Sequence, residues 1–191
     1  MRAAWLRQSN GSAKDKEKGF SLLELMVVVA LAAILLGFAV PSFQGLLSRN
    51  HLTATTNTLV FSFQTARSEA IKRALPAGVC TSANSLDANA SCSPGSGYVS
   101  GWIAYVDTNG NGGRDIDEEI VMAVEDRGAG FTITPENPFQ NQVYFDESGG
   151  STNPSTGGVP ISGSIDITYG DGSETRTIEI SATGRVATKA N

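Results

Sequence analysis

The sequence is poor in the groups from which active sites are built. Histidine occurs once, at His51, and cysteine twice, at Cys80 and Cys92, in 191 residues. There is no HExxH pair, no nucleophile elbow and no phosphate-cradling glycine loop. The carboxylates are scattered with nothing to gather them into a pocket, so the chain reads as a non-enzyme. Tetrahedral zinc would need two ligands beyond the cysteines, and His51 lies far upstream of both, which argues against a zinc site. Charged residues make up only 17 % of the chain, and no internal repeat is present, which excludes a solenoid.

What the chain does have is one long apolar run. Residues 20–40 read FSLLELMVVVALAAILLGFAV, with Glu24 as the sole charge. About 20 such residues span a bilayer core. Ahead of the run stand Arg2, Arg7, Lys14, Lys16 and Lys18 against Asp15 and Glu17. Removing these from the totals of 14 basic and 19 acidic residues leaves 9 and 17, so the remainder carries −8. A basic segment before an apolar span keeps the N-terminus in the cytoplasm, which predicts a single-pass membrane protein with its acidic domain beyond the membrane. A secretory signal would put its small cleavage-site residue after the apolar run. Here Gly19 comes before it, so cleavage at Gly19 would leave the whole helix on the mature protein. A carboxylate inside an apolar span marks a functional site with a partner, and an N-terminal amine freed at residue 20 of an incoming subunit would supply one for Glu24. The alternative is a glutamate that snorkels to the cytoplasmic headgroups.

Pro41, bracketed by Gly37 and Gly45, predicts a kink or a loosened turn. Helical periodicity resumes beyond it, with Leu52, Leu59, Phe63, Ala66, Ala70 and Ala74 forming a stripe that should bury against a sheet. The helix is expected from about 20 to 75, ended by Pro76 and Gly78. Strands are expected over 78–81, 98–106, 119–124, 130–134, 143–146, 164–169 and 174–181. The last two flank a Gly170-Asp171-Gly172-Ser173 hairpin turn. Residues 148–158 read as an exposed flexible loop. The resulting fold class is α+β, one long helix followed by an antiparallel sheet. Its segments are 1–19 as leader, 20–40 as membrane and assembly helix, 41–76 as amphipathic helix and 77–191 as β-domain.

Within that domain, Cys80 and Cys92 lie in a Gly/Ser/Asn/Pro-rich stretch that cannot pack itself. In an oxidising compartment they would form a disulfide contributing about 3 kcal/mol on the chain-entropy view; two free thiols are the alternative. Trp102 reads as core. Arg67, Glu69, Lys72 and Arg73 read as a charged outer helix face. Residues 107–118 match the spacing of an EF-hand calcium loop, with Asp107, Asn109, Asn111, Asp115 and Glu118 at ligand positions and Gly112 at the sixth. The strand-like flanks and Arg114 at the eighth position depart from that pattern, and an ordinary Asn/Gly/Asp turn is the other reading. No other cofactor is implied.

Gly19-Phe20-Ser21-Leu22-Leu23-Glu24, between a basic leader and an apolar helix, resembles the prepilin processing site of type IV pilins and type II secretion pseudopilins. The resemblance implies cleavage after Gly19 by prepilin peptidase, N-methylation of Phe20 and an assembly role for Glu24. In the soluble part the chain is similar to the FimT/FimU minor pilins and the general secretion pathway protein H pseudopilins. That similarity rests on Ala66-Arg67-Ser68-Glu69-Ala70-Ile71-Lys72-Arg73, the two cysteines, Gly101-Trp102-Ile103 with Val106-Asp107, and Gly184-Arg185-Val186. It implies a type IV pilin-like fold and a structural subunit that joins other pilins in a type II pseudopilus or a type IV pilus. The alternative function is DNA binding for natural transformation through the C-terminal tail, with Arg185 and Lys189 as phosphate contacts. Against it stands the reading of a solvated chain end.

Overall fold

The structure, a computed structural model, describes residues 19–190, apart from the side chains of 38–42, 44 and 190. The leader, expected over 1–19, lies outside the described residues up to position 18. The chain divides into two compact units, Met1–Phe43 and Gln44–Asn191, that meet within a single helix, α1, Leu22–Arg73.

In the first unit α1 starts at a serine cap. The Leu23 and Glu24 amides donate to the Ser21 hydroxyl at 3.2 and 3.4 Å, which makes Ser21 the N-cap and puts Glu24 at the third helical position. Every described side chain of residues 22–37 is exposed, on all sides of the helix. Among the described residues no helix is long and apolar enough to cross a membrane. The span expected over 20–40 reaches into positions 38–42, whose side chains lie outside the description, as does the side chain of Pro41, where the kink was expected. The helix assignment itself runs through Pro41.

In the second unit α1 packs on two antiparallel sheets, where the sequence predicts one. The first holds β1 (Ala77–Thr81), β2 (Trp102–Val106), β3 (Ile120–Val124), β5 (Gln142–Phe145), β6 (Ser151–Asn153) and β7 (Val159–Pro160), in the order β3-β2-β1-β5-β6-β7. The second holds β4 (Phe131–Pro135), β8 (Gly163–Tyr169), β9 (Thr175–Ile180) and β10 (Val186–Ala190), in the order β10-β9-β8-β4. Leu52, Leu59, Phe63, Ala66 and Ala70 of α1 meet Val79, Trp102, Val143 and Phe145 of the first sheet and Ile165, Ile167, Ile178 and Ile180 of the second in one core. A side chain such as Phe63, fully buried, contributes roughly 1.5–3 kcal/mol by area alone. The alanines let the helix lie close to the strands. Trp102 is core, as expected, and its indole Nε1 donates to Ser62 Oγ at 2.8 Å.

β1 and β2 are buried on both faces, because a second cluster of Cys80, Ala90, Ile103 and Tyr105 covers the side away from α1. Gly78 makes this packing feasible: a Cβ there would sit 2.8 Å from the Tyr105 ring.

Four expectations are corrected. Tyr98–Ser100 forms a 3-10 turn, and the strand begins only at Trp102, because Gly101, at φ 111°, lies where a Cβ would meet the Val124 carbonyl oxygen at 2.7 Å. The stretch 148–158 is not a free loop: its middle is β6, paired to β5, with Ser151 and Thr152 buried. Residues 186–190 form a paired strand rather than a tail. Ala74, assigned to the buried stripe, is exposed at φ 51° and ends the helix, with the Leu75 amide donating back to the Ala70 carbonyl at 3.2 Å. That is a Schellman closure with alanine where glycine is the usual residue. Ala74→Gly should therefore stabilise the detergent-solubilised chain by on the order of 1 kcal/mol in denaturant unfolding; a loss of stability would contradict the strained left-handed closure.

Candidate functional site

Three groups of predicted residues can be located. Gly19, Phe20 and Glu24 stand together at the start of α1, all exposed, with the Ser21 cap between them. The S-x-x-E signal for that cap is present in the sequence as Ser21 and Glu24, although periodicity alone does not point to it. A cap here lets the helix begin within two residues of Phe20, so a helix N-terminus, a carboxylate on its first turn and the Gly19–Phe20 bond share one place.

Asp107, Asn109, Asn111, Asp115 and Glu118 gather in one loop, where their side chains bond to one another, to backbone amides and to Tyr144. Asp107 is buried, with Oδ1 accepting from the Gly110 amide at 2.6 Å. Its Oδ2 accepts from the Gly112 amide and the Tyr144 hydroxyl, both at 2.6 Å. Burial, then this bond to Asp107, pushes the Tyr144 hydroxyl above its ordinary range. Buried Glu118 accepts from the Thr108 and Asp115 amides at 2.7 and 2.9 Å. Asn109 and Asn111 each donate to Asp115 Oδ2 at 2.7 Å. Among the described residues no group of three or more His, Cys, Asp or Glu side chains is arranged to hold a metal ion. Arg114, the misfit in the calcium pattern, donates to the Ala90, Ile116 and Glu118 carbonyls, tying this loop to the one closed by the Cys80–Cys92 disulfide. Excess chelator should leave the melting temperature unchanged, whereas Asp107→Ala, which orphans the buried Gly112 amide and Tyr144 hydroxyl, should cost about 2–4 kcal/mol. A chelator-dependent fall would restore the calcium reading.

The third group joins the two soluble motifs that are farthest apart in sequence. Arg67 Nε donates to the Gly149 carbonyl at 2.9 Å and Nη2 to the Thr183 carbonyl at 3.1 Å, so one guanidinium fastens the β5–β6 and β9–β10 turns to α1. Gly184, at φ 73°, packs so tightly that a Cβ would lie 1.8 Å from the Gly149 oxygen. Arg67 is thus more than part of a charged face, and no periodicity in the sequence marks it. The rest of that group does form a surface network: Glu69 pairs with Lys72 and Arg73, and Arg73 with Glu119. Lys72, then Arg73, hold the Glu69 carboxyl below its ordinary value. Arg185 is exposed beside Gly184, and Lys189 stands opposite Thr177 in the β9–β10 ladder. The two cations expected on a free DNA-binding tail are therefore fixed in a turn and in a paired strand. Arg67→Ala should cost about 2–3 kcal/mol, and Arg67→Lys, with one donor centre instead of a fork, should recover less than half of it in thermal unfolding. Full rescue by lysine would contradict the two-carbonyl clamp.

The family model described as Type II transport protein GspH matches residues 55–184, and the Prokaryotic N-terminal methylation motif matches residues 14–40. The Type IV major fimbrial protein FimA of Dichelobacter nodosus is 28 % identical over 134 residues, covering 64 % of this chain and 80 % of that protein. Prepilin peptidase-dependent protein D of Escherichia coli (strain K12) is 44 % identical over 46 residues, 24 % of this chain and 32 % of that protein. Among solved structures, the type IV minor pilin FimU of Pseudomonas aeruginosa (strain PAO1) shares the fold, with a TM-score of 0.50 at 19 % identity over 75 % of this chain and 94 % of that one.

Proposed function

The chain belongs to the GspH family of type II transport proteins and is a minor pilin or pseudopilin subunit processed by prepilin peptidase, and from that premise we propose how its residues carry assembly. Prepilin peptidase cuts after Gly19, Phe20 becomes the methylated N-terminus, and the subunit waits in the inner membrane as a single-pass protein with its β-domain in the periplasm. It then joins other pilins in a pseudopilus or pilus, acting by assembly and not by catalysis.

The observation that carries this reading is the exposure of α1. Phe20 is 81 % exposed, and the leucines and valines from Leu22 to Leu36 are likewise open to the surroundings. A helix apolar on every side is stable only inside lipid or among other helices. Farther along α1 a second, uncharged stripe of Leu47, Asn50, Ala54, Asn57 and Phe61 is also exposed. These positions recur at the three- and four-residue spacing of a helix–helix seam.

Glu24 supplies register. Lodged among apolar side chains, its carboxylate needs a cation, and the new amine on Phe20 of a neighbouring subunit lies at matching depth when adjacent helices are offset by about one turn. The helix N-terminus beside that amine favours the same anion.

Mass spectrometry of the protein purified from membranes should show a chain beginning at Phe20 and carrying one added methyl group. Glu24→Ala should still be cut but should disappear from the filament fraction. A chain that retains residues 1–19, with Phe20 unmodified, would overturn the proposal.

A further inference from the structure

A cleft of about 310 Å³ opens on the β-domain where β5, β6 and the 3-10 turn that follows it, Pro154–Thr156, meet the 137–141 turn and Pro94. Five carboxamides line it: Asn137, Gln140, Asn141, Gln142 and Asn153. Pro94, Pro138, Pro154 and Ile161 give it aliphatic walls. None of its lining residues is charged, although the domain that carries it is acidic.

The carboxamides face the cleft with their hydrogen-bonding groups open. Asn141 Oδ1 accepts from the Gly95 amide at 2.9 Å, and the Asn141 main-chain carbonyl accepts from the Thr81 amide at 2.9 Å. Asn153 Oδ1 accepts from the Ser155 amide at 3.0 Å. With both side-chain oxygens engaged, the two Nδ2 groups remain as donors without a partner among the described residues. The side chains of Asn137, Gln140 and Gln142 make no hydrogen bond among those residues, so each offers both a donor and an acceptor.

The frame around them is fixed. Pro154 is seated on Gly112, at φ 83°, where a Cβ would come 2.5 Å from the proline Cβ. Tyr144, which lines the cleft floor, has its hydroxyl held by Asp107. A ligand would therefore order little besides the carboxamides themselves.

The chemistry of the lining selects the ligand class. An ionic ligand would find no counter-charge, and an apolar one would strip the carboxamides of water with no bond in return. An extended peptide adds to an open strand edge, but β5 and β6 are both interior strands of their sheet. A neutral molecule with closely spaced hydroxyls matches the carboxamides, because each hydroxyl also donates and accepts. The C–H faces of sugar rings match the proline walls.

We propose that this cleft binds a neutral oligosaccharide, with the carboxamides of Asn137, Gln140, Asn141 and Asn153 on ring hydroxyls and Pro94 and Pro138 against the C–H face of a ring. The cleft lies wholly within the second unit and involves neither Gly19 nor Glu24, so its failure would leave the assembly reading untouched.

The test is titration of the isotope-labelled full-length chain, in a detergent without a sugar headgroup, with chitotetraose and with maltotetraose, following side-chain NH2 signals by NMR. At least one of the two should shift the signals of the cleft carboxamides saturably and leave those of Asn57 and Gln64, on α1, in place. Gln140→Ala and Asn137→Ala remove exposed side chains that make no hydrogen bond among the described residues. Each should weaken binding about tenfold at an unchanged melting temperature, which separates a lost contact from a misfolded variant. Four results would overturn the proposal: no saturable shift with either sugar, shifts confined to residues outside the cleft, an equal response to tetraglycine, or affinity unchanged by both substitutions.

Discussion

The constraint on which the rest depends is that the first part of α1 packs against nothing among the described residues of its own unit. Apart from Glu24, residues 22–37 are apolar or small around the whole helix, and every one of them is exposed. About 25 cal/mol for each Å² of apolar surface favours any environment that covers them, first lipid and then neighbouring helices. The charge of Glu24 on the first turn is costly in that environment and therefore directional, since it is relieved only where a cation arrives at the same depth. Cutting the bond after Gly19, as proposed, would create such a cation beside it.

The same helix continues as the organising element of the domain. Its stripe from Leu52 to Ala70 binds two sheets into one core, and Arg67 fixes the turns at Gly149 and Thr183 against its outer edge. At the far side of the first sheet, where a helix is not available, the disulfide loop and the carboxylate-ordered loop 107–118 cover Ile103 and Tyr105 instead. Buried Asp107 and Glu118 organise a turn-rich segment through amide and hydroxyl bonds, which is work that a metal ion does in loops of similar spacing.

Much of this was legible in the residues. The helix, its buried face at Leu52, Leu59, Phe63, Ala66 and Ala70, the core role of Trp102, the hairpin at 170–173 and the Cys80–Cys92 bridge follow from periodicity, turn chemistry and compartment. What escaped depends on long-range geometry. Ser151 and Thr152 are polar and short, so nothing local distinguishes β6 from a loop; its pairing with Tyr144 and Phe145 makes it a strand. Val186, Ala187 and Thr188 read as a chain end in the sequence, and only their register with β9 makes them a strand. Periodicity placed Ala74 on the buried face, but the helix had already closed. The calcium-like spacing is present, and its carboxylates accept from backbone amides, from Asn109 and Asn111 within the loop and from Tyr144, 37 residues away from Asp107, the last of which a local pattern does not contain.

The central claim is that the exposed apolar helix is covered by the helices of other processed subunits. The most direct measurement is photo-cross-linking in living cells from a photoreactive residue placed at Leu31, in the middle of the bare segment. The account predicts adducts that join Leu31 to the N-terminal helices of pilin subunits, lost when Glu24 is replaced by alanine. Adducts confined to lipid, in a chain already cut after Gly19, would contradict it.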